Sequence, residues 1–173
     1  MTGRFDYRYE LESIYRGMDR DLHQVVGQIL PWYVFDNADT TTDSVYDVGS
    51  GDRVGRTWYD PLDVPTLSII KVEANVPINK RGLYPVDTLN VVISPDALRL
   101  AGLDDILANP DLHAVDRLVY EGKVFGVEQI RVRGAIKGDY DYVVVGVDAR
   151  QIKRDELYND DPYWQQFLAR DAT

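Results

Sequence analysis

A glycine-rich stretch, DVGSGDRVGRTW (47–58), has the residue types of a phosphate-binding loop. A P-loop needs the spacing G-x-x-x-x-G-K-[ST], because the loop must close to aim its backbone N–H groups at one phosphate. Neither Gly49 nor Gly51 stands at that distance from Gly55, and Arg56 occupies the lysine position. The preceding TTTDSVYD is polar, whereas a P-loop follows a buried strand. We therefore predict no nucleotide site here, and the glycines need another explanation.

Acidic residues around this stretch could instead bind calcium; they are Asp36, Asp39, Asp43 and Asp47. An EF-hand loop needs acids or amides at positions one, three and five, and glycine at position six. A loop beginning at Asp36 has Ala38 at position three and Thr41 at position six, so the pattern fails. A looser cation site and ordinary loop acids or caps remain as alternatives. We predict no metal.

Side chains for catalysis are sparse. There is no cysteine, and neither His23 nor His113 has a histidine partner at a metal-binding spacing. Ser50 lies in VGSGD, which is not the G-x-S-x-G elbow of hydrolases. With 29 acidic residues in the chain, carboxylate pairs carry no information about acid–base catalysis. We predict that the chain is not an enzyme and takes no cofactor.

Length and composition indicate a single folded domain. The 173 residues are 45% hydrophobic and 28% charged, as in ordinary globular proteins. A formal net charge of −10 argues against non-specific DNA binding, which needs a basic face. The N-terminus lacks the apolar core of a signal peptide, and no apolar run approaches the ~20 residues of a membrane span. We expect synthesis in a cytoplasm and no membrane contact.

The N-terminal part predicts a helix followed by a short strand and a long arm. Apolar residues at steps of three and four from Glu10 to Leu30 form the stripe of an amphipathic helix, which Pro31 would end. Such a stripe fits a helix packed on its own domain or on another subunit. Trp32–Phe35 is typical of a strand, and Asp36–Pro65 lacks periodicity, which predicts an extended arm.

The remainder is predicted to be mainly β. TLSIIKVEANV and TLNVVIS are typical of strands, and Ser94-Pro95-Asp96 predicts the cap of a short helix that Gly102 ends. LDDILANP adds a helical turn. From His113 onward the pattern predicts strands in two hairpins, which turn at Glu121-Gly122 and at Lys137-Gly138-Asp139.

The predicted fold class is α+β, mainly β: a small β-barrel or sandwich in a single domain. Its predicted parts are an N-terminal helix and short strand (1–35), an extended arm (36–65), a β-barrel core (66–155) with an inserted helix at about 95–108, and an aromatic tail (156–173) with a short terminal helix.

Large aromatic and arginine side chains concentrate in the arm and the tail. Such residues are enriched at interface hot spots, because each offers a large contact area and a directed polar group. We predict a subunit or partner interface formed by Asp47, Arg53, Arg56, Trp58, Tyr59, Tyr158, Tyr163, Trp164 and Phe167. The alternative is that Trp58 and Tyr59 pin the arm onto the chain's own core.

Four stretches share their order with one family of proteins: LHQVVGQILPWYVFD, DSVYDVG…GRTWYDPLDVPTL, NVVISPDALRLAGL and VYEGKVFGVEQIRVRG…YDYVVVGVDARQI. In that order the chain resembles the head-to-tail connector proteins of long-tailed bacteriophages, particularly those of actinobacterial phages. The stretches cover most of the chain from Leu22 to Ile152.

The resemblance implies a structural virion protein of the phage neck, most similar to the stopper class. Such proteins carry helices and extended loops on a small β-barrel. They form a homomeric ring, a hexamer for a stopper, between the portal or adaptor and the tail, and they help retain packaged DNA. DNA would pass through the ring without sequence-specific binding, which the acidic balance of this chain suits.

On this interpretation the glycine-rich loop is an arm that reaches a neighbouring subunit or lines the channel. Either Asp36–Pro61 or Asn75–Pro85 could close the channel. An adaptor, expected as a ring of twelve, or a tail terminator of the same neck remains an alternative. From another class, so does a small-ligand-binding β-barrel or an unrecognised enzyme.

Overall fold

In a computed structural model, the described residues are Ser13, Gly17, 28–38, Thr40, 56–73, 86–133, 144–153, Leu157 and Trp164. The strands are β1 (Gln28–Tyr33), β2 (Phe35–Asp36), β3 (Thr57–Trp58), β4 (Leu62–Thr66), β5 (Ser68–Val72), β6 (Thr88–Ile93), β7 (Arg117–Tyr120), β8 (Lys123–Arg133) and β9 (Val144–Gln151). One α-helix, α1 (Pro95–Leu100), and two 3-10 helices, Asp104–Leu107 and Pro110–His113, connect β6 to β7. The predicted mainly β, α+β class is confirmed.

Seven strands form one antiparallel sheet in the order β4-β1-β7-β8-β9-β6-β5, and β2 pairs with β3 in a separate ribbon. The two edge strands, β4 and β5, are separated along the chain only by Leu67, whose N–H donates to the Val92 carbonyl at 2.8 Å. Because β4 and β5 are adjacent in the chain but lie at opposite ends of the strand order, the sheet must curl until its two edges come close together. No ladder joins β4 to β5 among the described residues. The structure shows a strongly curled sheet, and a closed barrel stays a prediction.

The curl brings distant strands together at one rim of the sheet. The Lys71 ammonium, on β5, lies 2.8 Å from the Glu121 carboxylate in the turn between β7 and β8, although β9 and β6 intervene in the sheet. Asp87 lies 4.0 Å from Lys71 and 3.3 Å from Lys123. These groups are partly exposed, so the pairs orient the rim more than they stabilise it.

The main core is built by alternation along the strands, in which successive side chains point to opposite faces. On β6, Leu89, Val91 and Ile93 are buried, while the residues between them are half-buried. The same period places Val145 and Val147 of β9 inside. The other main-core residues are Leu30, Trp32, Val64, Ala97, Leu98, Leu103, Ile106, Leu118, Phe125, Val127 and Ala149.

A second cluster covers the opposite face of β1, β7 and β8. It contains Tyr33, Val124, Leu157 and Trp164, with Trp58, Val119 and Ile152 packed against it. Leu157 and Trp164 are helical, in agreement with the predicted terminal helix. Leu157 and Trp164 therefore help to cover the face of the central strands that lies opposite the main core.

The turn and cap signals of the sequence are confirmed. The Ser94 hydroxyl accepts the Ala97 N–H at 3.1 Å, Pro95 opens α1, and Gly102 adopts φ +79° after it. In the hairpin between β7 and β8, Glu121 and Gly122 both have positive φ, as a type I′ turn requires. β8 pairs with β9 as expected, and the predicted turn at 137–139 lies outside the described residues.

The predicted N-terminal helix is wrong over its last residues. Ser13 and Gly17 are helical, but Gln28–Leu30 belong to β1, and Pro31 lies within that strand instead of ending a helix. Leu30 and Trp32 are buried and Ile29 is exposed, which is a strand alternation. This strand alternation begins before the helical spacing ends, so the two periods overlap in the sequence.

The predicted arm and the predicted strand at His113 also need correction. Four of the five residues of β4 lie within 36–65, and the strand pairs with β1 along its full length, while β2 and β3 pair at the base of the arm. Asp39 and 41–55 lie outside the described residues. His113 ends a 3-10 helix, and β7 begins only at Arg117.

Candidate functional site

Five side chains from four parts of the chain form an aromatic–arginine cluster (Tyr33, Phe35, Trp58, Arg117 and Trp164). The Arg117 guanidinium lies 3.7 Å from the centre of the Trp58 ring and 4.8 Å from that of Trp164. The two indoles meet edge to face, with ring centres 5.3 Å apart. Tyr33 contacts Trp164 and Phe35 contacts Trp58 in the same manner. Cation–π attraction is strongest where water is excluded, and Arg117 is buried.

The predicted interface residues are therefore divided by the structure. Trp164 is only 2% exposed, and the indole N–H of Trp58 donates to the Val115 carbonyl at 3.2 Å, so both pack within their own chain. This is the alternative in which the end of the arm is pinned to the core. Tyr59 is 53% exposed, and Arg56 is partly exposed. Asp47, Arg53, Tyr158, Tyr163 and Phe167 lie outside the described residues, and the interface role of the whole predicted set stays a prediction.

Beside this cluster, described residues line an open groove of about 570 Å³. Its lining combines apolar, amide, hydroxyl and cationic side chains: Phe35, Asn37, Thr40, Arg56, Trp58, Ala114, Val115, Asp116, Arg117, Gly126 and Ile152. The volume falls in the range of small-ligand sites.

The base of the arm is held by short-range hydrogen bonds. Asp36 accepts the Ala38 N–H at 2.8 Å, and the Thr40 hydroxyl donates to the Asp36 carbonyl and accepts the Thr57 N–H at 3.2 Å. The first of the candidate calcium acids thus stabilises a turn. Thr57 begins a strand and not a helix, which agrees with the rejection of a P-loop. Among the described residues, no group of three acidic, histidine or cysteine side chains is arranged to hold a metal ion.

An acid–histidine chain formed by the exposed Asp105 and the buried His113 and Asp116 lies immediately before β7. The Asp116 carboxylate accepts the Trp32 indole N–H at 2.8 Å and the Phe35 backbone N–H at 2.9 Å. It also lies 2.6 Å from His113 Nδ1, while His113 Nε2 lies 3.0 Å from Asp105. Both ring nitrogens thus face carboxylates, an arrangement that holds a histidine in place instead of freeing a nitrogen to act as a base.

The sequence pattern did not predict this chain. Its one local signal is the spacing of three residues between His113 and Asp116. Burial lowers the pKa of His113, but the hydrogen bonds and charges of Asp116 and Asp105 outweigh it and raise that pKa above 6.5.

The open edge of β5 is the clearest surface for contact with another chain. Within the described part of the chain β5 pairs only with β6, and its outer face presents Ile70 and Val72, which are 55% and 50% exposed. An edge of this kind can bind a further strand through its unpaired backbone groups. The other edge, β4, contains Pro65, which has no N–H to donate, and α1 packs against it.

None of three comparisons, with protein-family models, curated protein sequences and solved structures, gives a significant match. In the part of the chain that the structure describes, no helix is long and apolar enough to cross a membrane.

Proposed function

We propose that this chain is a structural subunit of the neck of a long-tailed bacteriophage, of the stopper type. In this role it forms a ring between the portal or adaptor and the tail, joins head to tail and helps retain the packaged DNA. The proposal begins from the order of sequence stretches that resembles the head-to-tail connectors. We also propose that the protein is synthesised in the host cytoplasm and then becomes part of the virion neck.

The observation that carries the proposal is the open β5 edge with its exposed Ile70 and Val72. Main-chain pairing at such an edge gives affinity without a deep pocket, which suits a subunit that must bind identical neighbours. The asymmetry with β4, where Pro65 removes a donor, leaves one edge for this contact. The curled sheet with an inserted helix is also the architecture expected of the family.

The arm is the second element of the proposal. Its base is fixed by the β2–β3 ribbon and by the contact of Trp58 with Arg117. A fixed base limits the entropy lost when an arm binds a neighbour. We assign two of the predicted interface residues of the arm, Asp47 and Arg53, to such contacts.

Purified virions test the proposal. The chain should be present in tailed particles at six copies, or twelve if it is an adaptor, and gold-labelled antibody should mark the junction of head and tail. Absence from purified particles, or labelling of the capsid shell or the tail tip alone, would exclude a neck role.

The groove favours a second candidate, a small-ligand-binding protein. Its polar and aromatic lining could hold a small anionic or aromatic molecule. A screen for thermal stabilisation by metabolites separates the two candidates, because a ligand at one hundred times its Kd stabilises by about 2.7 kcal/mol. Two results together would favour this candidate. A ligand would stabilise the wild type but not Asn37→Ala, and the protein would be absent from purified virions.

A further inference from the structure

The His113 side chain links the first 3-10 helix to the segment immediately before β7. Its Nε2 lies 3.0 Å from Asp105 in the first 3-10 helix, and its Nδ1 lies 2.6 Å from Asp116 immediately before β7. The histidine is buried, whereas the Asp105 side chain is 58% exposed. Both contacts are hydrogen bonds only when both ring nitrogens carry a proton, since a carboxylate can only accept.

The two carboxylates differ in what they lose when the ring becomes neutral. Asp116 is 1% exposed and also accepts N–H groups from Trp32 and Phe35, so it must keep the Nδ1 proton. The lone pair of Nε2 then faces the Asp105 carboxylate, which repels it. Asp105 can exchange this contact for water at little cost because it is exposed.

Other charged groups on the elements packed against His113 are placed elsewhere. Asp104 and Asp111 of the two 3-10 helices are exposed, and the Arg117 guanidinium lies in the aromatic–arginine cluster. On β8, Lys123, Glu128 and Arg131 pair with Asp87, Arg150 and Asp148, and Arg133 is exposed. Of the residues that the structure describes, only Asp105 and Asp116 lie within hydrogen-bond distance of the ring.

We propose that His113 is a proton-controlled clamp on the first 3-10 helix. With both ring nitrogens protonated it holds Asp104–Leu107 against the start of β7, and loss of the Nε2 proton releases that helix while Asp116, Trp32 and Phe35 stay joined. The helix carries the buried Ile106, so its release loosens one end of the main core. The raised pKa of His113 places this event above pH 6.5.

Nuclear magnetic resonance of the full chain labelled with ¹⁵N tests the clamp. Imidazole nitrogen shifts titrate His113 directly, and a His23→Gln variant assigns the two histidines. Amide exchange of Ala108 and Asn109 reports the helix, because both N–H groups bond to the Asp105 carbonyl, at 3.0 and 2.8 Å. After correction for intrinsic exchange, their protection should fall about tenfold or more across the His113 midpoint.

Asp105→Asn should lower the His113 midpoint and remove the protection step. Asp104→Asn removes the same charge one residue away and should do neither. The Leu103 amide, which bonds to the Leu98 carbonyl, should show no step in either protein. A wild-type His113 midpoint at or below 6.5, or unchanged protection of Ala108 and Asn109 across it, would overturn the proposal. That wild-type titration decides the matter even if Asp105→Asn fails to fold.

Discussion

The carboxylate of Asp116 accepts the indole N–H of Trp32 at 2.8 Å, in the interior of the protein and across 84 residues of sequence. The same carboxylate accepts the Phe35 backbone N–H as the chain leaves β1 for the ribbon at the base of the arm. One buried acid thus fixes β1, the arm and the segment before β7 relative to one another.

Replacing this acid should strongly destabilise the fold. Asp116→Asn keeps the shape but removes the charge and turns one acceptor into a donor that faces an indole N–H or a backbone N–H. Loss of one member of a buried charged network costs about 3 kcal/mol. Urea unfolding measures the change, and Asp111→Asn on the exposed face of the second 3-10 helix is the control, expected to stay within about 0.5 kcal/mol. Equal effects of the two variants would show that the Asp116 network contributes little.

Stability should depend on pH through His113. Its pKa is raised in the folded protein, so its contribution is fully present below the unfolded value of 6.5 and is lost as pH rises through the higher folded value. Urea midpoints measured between about pH 6 and pH 9 should fall across that window in the wild type. The fall should persist in His23→Gln and disappear in His113→Gln. Stability that rises across the window would contradict the assigned hydrogen bonds.

The Arg117 contacts should stabilise the second cluster. Arg117→Met keeps most of the side-chain volume but removes the charge between Trp58 and Trp164, which should cost about 2 kcal/mol. Arg99→Met, at an exposed pair with Asp96, should cost no more than about 0.5 kcal/mol. Tryptophan emission should also shift in Arg117→Met alone. A cost equal to that of Arg99→Met would mean that the arginine is held by packing and not by its charge.

Much of the fold was predictable because its signals are local. Ser94 and Gly102 mark the ends of the region around α1, Glu121-Gly122 marks a tight turn, and the alternation in β6 and β9 marks their buried faces. The helix prediction was wrong for Gln28–Leu30 because a helical spacing and a strand alternation overlap there. Pairing with β4, more than thirty residues away, decides between the two.

The candidate site was less predictable than the fold. Trp58 and Trp164 have the residue type of an interface hot spot, but the same type also fills a core, and the position of Arg117 between them depends on tertiary structure. Asp105, His113 and Asp116 are close in sequence. Their side chains come within hydrogen-bond distance because two 3-10 helices form in this segment. The β5 edge could not be recognised before the strand order was known, because sequence reports strands and not their neighbours.

A charge on the β5 edge should impair assembly without unfolding the chain. Ile70→Lys replaces a half-exposed side chain, so its effect on the free energy of unfolding should stay within about 0.5 kcal/mol. In complementation of a phage that lacks the gene, its plaque yield should fall at least about tenfold, since one desolvated charge at each subunit contact weakens the ring. Leu100→Lys, at an 86% exposed position on α1, is the matched control and should complement fully. Full complementation by Ile70→Lys would remove the β5 edge from the assembly surface.

The proposed neck role is tested most directly by disrupting the gene and examining the resulting phage lysate by electron microscopy. A neck role predicts separate heads and complete but unattached tails, and a stopper predicts in addition that those heads lose their DNA. Normal, infectious joined particles would contradict the neck role, and the ligand-binding groove would then be the site to pursue.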